Sequence, residues 1–297
     1  MLPSTSGPSH DLAAVNRVLV TGGSGFIGSH LVAHLQRIGK EVVTPSRRDG
    51  FDLLTGELPL DDIDHVFHLA AQTGVVESWE DPVTYHHVNA HGTVRLLDQC
   101  RHHQCPMTYI SGYIYGRNKT LPIGETDNVE ASNPYAFSKF MAEEACRFYA
   151  RVFGLRVAIL RPFNVYGPGQ SDRFLLPHIV RQAIDPGCVM IQVLDLAPRR
   201  DYIYVADVID AALAAIAAEP GETFNVGSGT SHSVEDVIRT TLDLIGIEKP
   251  YGSPDRQVRT NEINDVVANI AAIRNSLGWQ PAVSFEEGLK QLIESMR

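Results

Sequence analysis

Tyr135 and Lys139 stand four residues apart in the run Asn133-Pro134-Tyr135-Ala136-Phe137-Ser138-Lys139. On a helix, positions i and i+4 share a face, so a phenol and an ammonium at this spacing can meet. A free tyrosine titrates at about pH 10. An ammonium one turn away stabilises the phenolate and brings the phenol into range for proton transfer. Alone the spacing is common on helix surfaces, so its meaning depends on what the chain places beside it.

What it places upstream is a glycine turn, Thr21-Gly22-Gly23-Ser24-Gly25-Phe26-Ile27-Gly28, between a β-rich run and a helical pattern. Glycines there allow a sharp turn, close approach of the backbone to a pyrophosphate and tight packing of helix on strand. The helix N-terminus then offers free N–H groups and partial positive charge to phosphates. Strand, turn and helix in this order make the pattern a dinucleotide fingerprint. A positively charged nicotinamide ring would add to the pull of Lys139 on the Tyr135 phenolate.

About twenty residues further on, NAD-binding chains place an acid against the ribose 2′-hydroxyl. This chain reads Thr44-Pro45-Ser46-Arg47-Arg48, with Ser46 where the acid should be and two guanidiniums after it. Arginine suits a 2′-phosphate in charge and fork geometry. The first choice of cofactor is therefore NADP, with NAD as the alternative.

Short apolar runs and helical patterns alternate through the first half, the signature of βαβ units. Strands are expected at Arg17–Thr21, Glu41–Thr44, Phe51–Leu53, Val66–Ala70, Met107–Ser111 and Leu155–Leu160. Helices are expected at Phe26–Ile38, about Pro82–Arg101, about Pro134–Phe153 and Ala206–Ala218. Leu277 ends a helix, and Ser284 caps another with Glu287 at its third position. The expected fold is α/β, a Rossmann-type doubly wound parallel sheet with a smaller, discontinuous C-terminal substrate lobe. Residues 1–13 read as a flexible leader and 14–163 as the dinucleotide-binding domain, which also receives about 201–226. Residues 164–200 and 227–297 read as the lobe.

The 297 residues are 44% apolar and 20% charged, enough to bury a sizeable core. With 25 basic and 35 acidic residues the net charge is -10, so the basic footprint of a nucleic-acid binder is missing. No apolar run approaches the roughly 20 residues of a membrane span, and Met1–His10 lacks the charged start and apolar core of a signal peptide. Cys100, Cys105, Cys146 and Cys188 form no CxxC pair. They fit reduced thiols of a cytoplasmic enzyme, with Cys100–Cys105 as a helix end entering a strand and no metal site.

The chain from about Arg17 to Ile293 resembles the extended short-chain dehydrogenase/reductases of the NAD-dependent epimerase/dehydratase type, which act on nucleotide sugars. Besides the glycine turn and the Tyr135/Lys139 pair, the matching motifs begin with His68-Leu69-Ala70-Ala71, Asn89 with Gly92-Thr93, and Ser111 to Gly116. Arg161-Pro-Phe-Asn164, Arg200-Asp-Tyr-Ile-Tyr-Val205 and Leu277-Gly-Trp-x-Pro281 complete the set. The resemblance implies that Ser111 hydrogen-bonds the reacting sugar oxygen beside Tyr135, and that Asp52 and Leu53 contact adenine. It places Leu69, Ala70 and Ala71 along the cofactor, Pro162 and Phe163 beside the nicotinamide, and Asn164, Arg200 and Arg259 on the substrate's phosphates. Thr73 and Tyr113 are expected to face the sugar. It also implies a homodimer through a four-helix bundle of the segments at about Pro82–Arg101 and Pro134–Phe153, with Ala142, Ala145, Phe148 and Tyr149 offered as an outer stripe.

Sugar-nucleotide 4,6-dehydratases carry Asp-Glu after the catalytic Ser/Thr, where this chain has Gly112 and Tyr113, so dehydration is disfavoured. The run Asn164-Val-Tyr-Gly-Pro-Gly-Gln-Ser171 and the run Asp195-Leu-Ala-Pro-Arg-Arg-Asp201 are similar to reductases of GDP-4-dehydro-6-deoxymannose, which commonly accept NADPH. The first expectation is an NADPH-dependent 4-keto-6-deoxysugar reductase. The alternative is an NAD-dependent nucleotide-sugar 4-epimerase. A non-catalytic dinucleotide sensor is the remote third, and the presence of Ser111, Tyr135 and Lys139 weighs against it.

Overall fold

Six strands form one parallel sheet: β1 (Arg17–Thr21), β2 (Glu41–Val43), β3 (His65–His68), β4 (Met107–Ile110), β5 (Val157–Pro162) and, much later in the chain, Thr223–Val226. The computed structural model describes residues 12–117, 120–254 and 263–297. Most of the expected leader, residues 1–11, lies outside them, while Leu12–Ala14 form a 3-10 turn with Leu12 packed on the core. From one edge the sheet runs β2, β1, β3, β4, β5 and the late strand. The chain leaves β1 first toward β2 and then returns to lay β3 on the other side. That reversal is a topological switch point, which opens a crevice at the carboxyl ends of the strands.

Helices cover both faces. On one, α1 (Phe26–Arg37) packs its Leu31 and Leu35 with Val18, Val20 and Phe67 of the sheet. On the other, Leu96, Leu97 and Cys100 meet Ala142 and Cys146 over Leu19, Val66 and Tyr109. The segment expected as one helix at Pro82–Arg101 follows the short α2 (Val75–Glu80) and is three pieces: α3 (Pro82–Tyr85), a π turn (His86–His91) and α4 (Gly92–His103). The π turn lets Asn89 point sideways out of the helix, where it is used as described below. Helix α5 (Pro134–Phe153) has the expected bounds. No strand forms at Phe51–Leu53. There Asp52 takes Leu54 N on its side chain at 2.7 Å and Gly56 N on its carbonyl at 2.6 Å, local bonds that compete with a sheet ladder.

The remaining chain builds a second layer. β6 (Asn164–Tyr166) pairs in parallel with β8 (Arg199–Tyr204), which pairs antiparallel with β10 (Ser231–Ser233); a short pair joins β7 (Ile191–Gln192) to β11 (Tyr251–Gly252). The late strand of the main sheet, Thr223–Val226, is β9. α6 (Leu175–Ile184), α8 (Val234–Ile245) and α10 (Phe285–Met296) bury Ile179, Val180, Val237, Ile238, Leu289 and Leu292 together. α7 (Val205–Ala214) instead returns to the main sheet, where Val208 and Ile209 share a core with Val18 and Leu31. The Leu277-Gly-Trp motif closes α9 (Ala271–Leu277): Gly278 takes the left-handed stop at φ 66, and Trp279 Nε1 donates to the Asp207 carbonyl at 3.1 Å. Ser284 caps α10 by accepting from Glu287 N.

The outer stripe of α5 differs from expectation. Ala142 is fully buried, and Ala145 and Tyr149 pack on the core; Phe148 is exposed as expected, and Phe137, Met141, Val152 and Phe153 are the other large exposed apolar residues of the helix. Residues 141, 148 and 152 share a face seven and four positions apart, whereas Ala142 lies roughly 100° round the helix from Met141. Cys100 ends in α4 and Cys105 precedes β4, as expected.

Candidate active site

At the switch point opens a cleft of about 2570 Å³, several times the usual small-molecule pocket and large enough for two ligands. Its floor is the glycine turn. Gly22, at φ 73, lies so close to β3 that a Cβ on it would stand 2.6 Å from Ala70 N; one on Gly28 would meet the Gly22 carbonyl. Both positions require glycine. Gly25 is the N-cap of α1 and makes no side-chain cap, so the N–H groups of Phe26, Ile27 and Gly28 face the cleft. This cradle fits a dinucleotide pyrophosphate.

A buried polar chain ties the floor to the neighbouring helix. Thr93 Oγ1 donates to the Asn89 carbonyl at 2.6 Å, so it accepts from His68 Nε2 at 3.0 Å. His68 Nδ1 is then the acceptor for Thr21 Oγ1 at 2.7 Å, and Thr21 in turn receives Ala70 N at 3.3 Å. His68 is neutral in this arrangement, with burial, and then Lys139, lowering its pKa to about 3. Asn89 joins the loop after β3 to α5: its side chain exchanges two bonds with the Gln72 backbone and donates to Ser138 Oγ at 2.9 Å.

α5 starts where the chemistry needs it. Asn133 caps it by accepting from Ala136 N at 2.8 Å, and Pro134 occupies the first turn. Tyr135 and Lys139 therefore rise on one face toward the end of β4. Lys139 Nζ donates to the Ile110 carbonyl at 2.7 Å and sits 4.5 Å above the Tyr109 ring. A Cβ on Gly112 would stand 2.9 Å from Tyr135 Oη, so the phenol lies over the residue after Ser111. Ser111 Oγ is buried and has no hydrogen-bond partner in the protein, although it lines the cleft.

Burial pushes Tyr135 up to about 12, helped by Tyr85, whose ring meets it edge-on at 6.5 Å. Burial also brings Lys139 down to about 7, against the opposing pull of Glu143. Glu143 is fully buried one turn beyond Lys139 and takes Arg161 at 2.6 Å and Arg147 at 2.6 Å. Arg161 also donates to Tyr115 Oη at 2.8 Å, which fixes the end of β5 where Pro162 and Phe163 enter the cleft wall.

Ser46, Arg47, Arg48, Asp52 and Leu53 line the cleft beside β2, and Leu69, Ala70, Ala71 and Thr73 line it beside β3. Tyr113 lines it by its ring, since its hydroxyl donates to the Gly116 carbonyl at 2.7 Å. Asn164 and Arg200 are on the lobe side; Asn164 Nδ2 donates to the Asp201 carbonyl at 3.1 Å and Arg200 to the Ile263 carbonyl at 2.7 Å. Arg259 lies outside the described residues.

Two further residues of the wall, Gln170 and Tyr202, lie within the matching motifs but were given no role from the sequence. Gln170 Nε2 donates to the Val165 carbonyl at 2.8 Å, which turns its amide oxygen, buried and unpartnered, to the other side. Its turn is braced on α1, where His30 Nε2 donates to the Pro168 carbonyl at 2.8 Å. The Tyr202 hydroxyl is likewise buried without a partner. Both depend on how the lobe folds back over the sheet, which no local pattern records. Among the described residues, no helix is long and apolar enough to cross a membrane, and no group of three His, Cys, Asp or Glu could hold a metal.

The model of the NAD dependent epimerase/dehydratase family matches residues 18–227. The chain belongs to that family. It is 32% identical over 291 residues to GDP-6-deoxy-D-mannose reductase from Pseudomonas aeruginosa, covering 93% of this chain and 96% of that one. It is also 32% identical to the UDP-glucose 4-epimerase of Mycolicibacterium smegmatis, over 95% of this chain and 98% of that one. The solved structure of RMD from Pseudomonas aeruginosa complexed with NADPH superposes with a TM-score of 0.87 at 32% identity, over 95% of this chain and 97% of that one. The protein is thus an NAD(P)-dependent enzyme of the extended short-chain type.

Proposed function

We propose that the protein is an NADPH-dependent reductase of the 4-keto group of a nucleoside-diphosphate 6-deoxyhexose. The observation that supports this reading is the turn after β2, where Arg47 and Arg48 line the cleft just beyond the strand end from which dinucleotide-binding folds read the adenosine ribose. Guanidiniums there favour a 2′-phosphate, and a 2′-phosphate cofactor is the usual currency of reduction. The bound dinucleotide supplies the hydride that adds to C4. Tyr135 Oη, protonated at neutral pH, gives its proton to the C4 oxygen, and the Lys139 ammonium stabilises the phenolate that remains. Ser111 Oγ donates a second hydrogen bond to the same oxygen as charge develops on it. Asn164, Arg200 and Arg259 are the residues assigned to the diphosphate, with Thr73 and Tyr113 beside the sugar. Asp52, Leu53, Leu69, Ala70 and Ala71 are assigned to the dinucleotide, and Pro162 and Phe163 to the nicotinamide side.

The second reading is 4-epimerisation with retained NAD, favoured by the equal identity to a UDP-glucose 4-epimerase. The two readings separate on cofactor consumption. A reductase oxidises one NADPH per ketone reduced, whereas an epimerase inverts C4 without net use of cofactor. A homodimer through the exposed stripe Phe137, Met141, Phe148 and Val152 and a cytoplasmic location complete the reading. Light scattering that finds only monomer at micromolar protein would remove the dimer.

A further inference from the structure

The turn that carries Arg47 and Arg48 also carries a carboxylate. β2 runs into Thr44-Pro45-Ser46, then a 3-10 turn over Arg47–Asp49, and the whole segment from 44 to 49 lines the cleft. Ser46 precedes the turn in extended conformation and makes no side-chain cap to its backbone. Its hydroxyl donates to Asp49 Oδ2 instead, at 2.5 Å, while Asp49 N donates to the Ser46 carbonyl at 3.0 Å. Gly50, at φ 83, reverses the chain so that Phe51 N also reaches the Ser46 carbonyl, at 3.0 Å. The turn is therefore folded back on residue 46. The carboxylate lies against the hydroxyl at the position where a strand-end acid would read a ribose.

We propose that Asp49 is a specificity-determining residue that accepts a ribose 2′-hydroxyl and opposes a 2′-phosphate, so that the enzyme takes both NADPH and NADH. This rests on the reading of Arg47 and Arg48 as the 2′-phosphate partners. The serine hydroxyl has one proton, and Asp49 holds it. A 2′-phosphate arriving at Ser46 must displace that bond and meets a like charge. A 2′-hydroxyl finds a carboxylate acceptor already in place. The two arginines pull the other way. Opposed readers on one three-residue turn yield modest selectivity, and because Arg47, Arg48 and Asp49 are all exposed, salt weakens both effects.

The test is direct titration of NADPH and of NADH, followed by reduced-nicotinamide fluorescence, into four proteins at low and high salt. These are the wild type, Asp49→Asn, Asp49→Ser and the double variant Arg47→Ala/Arg48→Ala. The wild type is expected to prefer NADPH by no more than about tenfold. Both Asp49 variants are expected to tighten NADPH and weaken NADH, moving the ratio by roughly five- to tenfold, the scale of one exposed charge-assisted contact. The shift should shrink in high salt. An unchanged ratio in both Asp49 variants, with NADPH binding lost in the double arginine variant, overturns the role of Asp49 and leaves the NADPH reading standing. Unchanged NADPH binding in the double arginine variant overturns the NADPH reading instead. A weakened NADH complex in the Asp49 variants would then still support Asp49 as the ribose partner.

Discussion

The ammonium of Lys139 donates to the carbonyl of Ile110, the residue before Ser111, at 2.7 Å. This one bond ties the face of α5 to the end of β4. It also explains how residues 24 positions apart in sequence, Ser111 and Tyr135, come to flank the same point in the cleft. The lysine has two duties under the proposed mechanism: its observed bond orients the strand end, and its charge would serve the phenol.

Removing the phenol oxygen isolates the second duty from the scaffold. Tyr135→Phe is expected to fold and bind cofactor normally while turnover falls by roughly 10²–10⁴-fold, the worth of a positioned proton donor. Ser111→Ala, which deletes an unpartnered hydroxyl, is expected to cost about 10²-fold with little change in stability. Turnover within a factor of a few of wild type in Tyr135→Phe would remove it as the proton donor.

The pH profile should report Lys139. Its pKa is lowered to about 7 by burial, so the charged form is lost as pH rises through that value. For reduction, kcat/KM is expected to be flat below about pH 6 and to fall above pH 7, because the neutral amine no longer stabilises the phenolate. His68, lowered to about 3, stays neutral throughout and adds no limb. A profile flat to pH 9 would contradict the role of Lys139.

Arg161 and Glu143 are 2% and 0% exposed and bonded at 2.6 Å. Arg161→Met leaves a buried carboxylate that keeps its ion pair with Arg147 and has Lys139 as a further cation acting on it. The expected loss is about 3 kcal/mol, near the lower end for a broken buried pair, or roughly 6–12 °C in Tm. The double variant Arg161→Met/Glu143→Leu should recover much of this loss in thermal melts. Equal Tm for the single variant and the wild type would show that the pair is not coupled to folding.

Gln170 lines the cleft, and its buried amide oxygen has no partner within the protein. Gln170→Met keeps the volume and removes the acceptor. It is expected to raise KM for the nucleotide sugar by about three- to tenfold, the worth of one neutral hydrogen bond, with cofactor affinity unchanged. A shift confined to cofactor affinity would place the amide on the dinucleotide instead.

Much of the sheet and of the cleft lining was legible in the residues themselves. The glycine turn, Tyr135/Lys139 and the capped start of α5 are local signals, since turn geometry, i+4 spacing and an Asn-Pro cap depend on neighbours in sequence. Phe51–Leu53 misled because three apolar-flanked residues resemble a strand, while Asp52 was free to bind its own backbone. The outer stripe of α5 was right at Phe148 but took Ala142 for its exposed neighbour Met141, one position away, which is enough to put Ala142 in the core. Asp49, Gln170 and Tyr202 were missed for a different reason. Their placement follows from a reversed turn and from the lobe closing over the sheet, and tertiary contacts of that kind leave no periodicity to read.

The reductase reading is tested most directly by following absorbance of NADPH while the enzyme acts on a nucleoside-diphosphate 4-keto-6-deoxyhexose, with product identified by NMR. One NADPH should be oxidised for each ketone converted to a C4 hydroxyl, at a rate that collapses in Tyr135→Phe. No net oxidation of NADPH, together with inversion at C4 of a fully hydroxylated nucleotide sugar by protein that retains NAD, would contradict it.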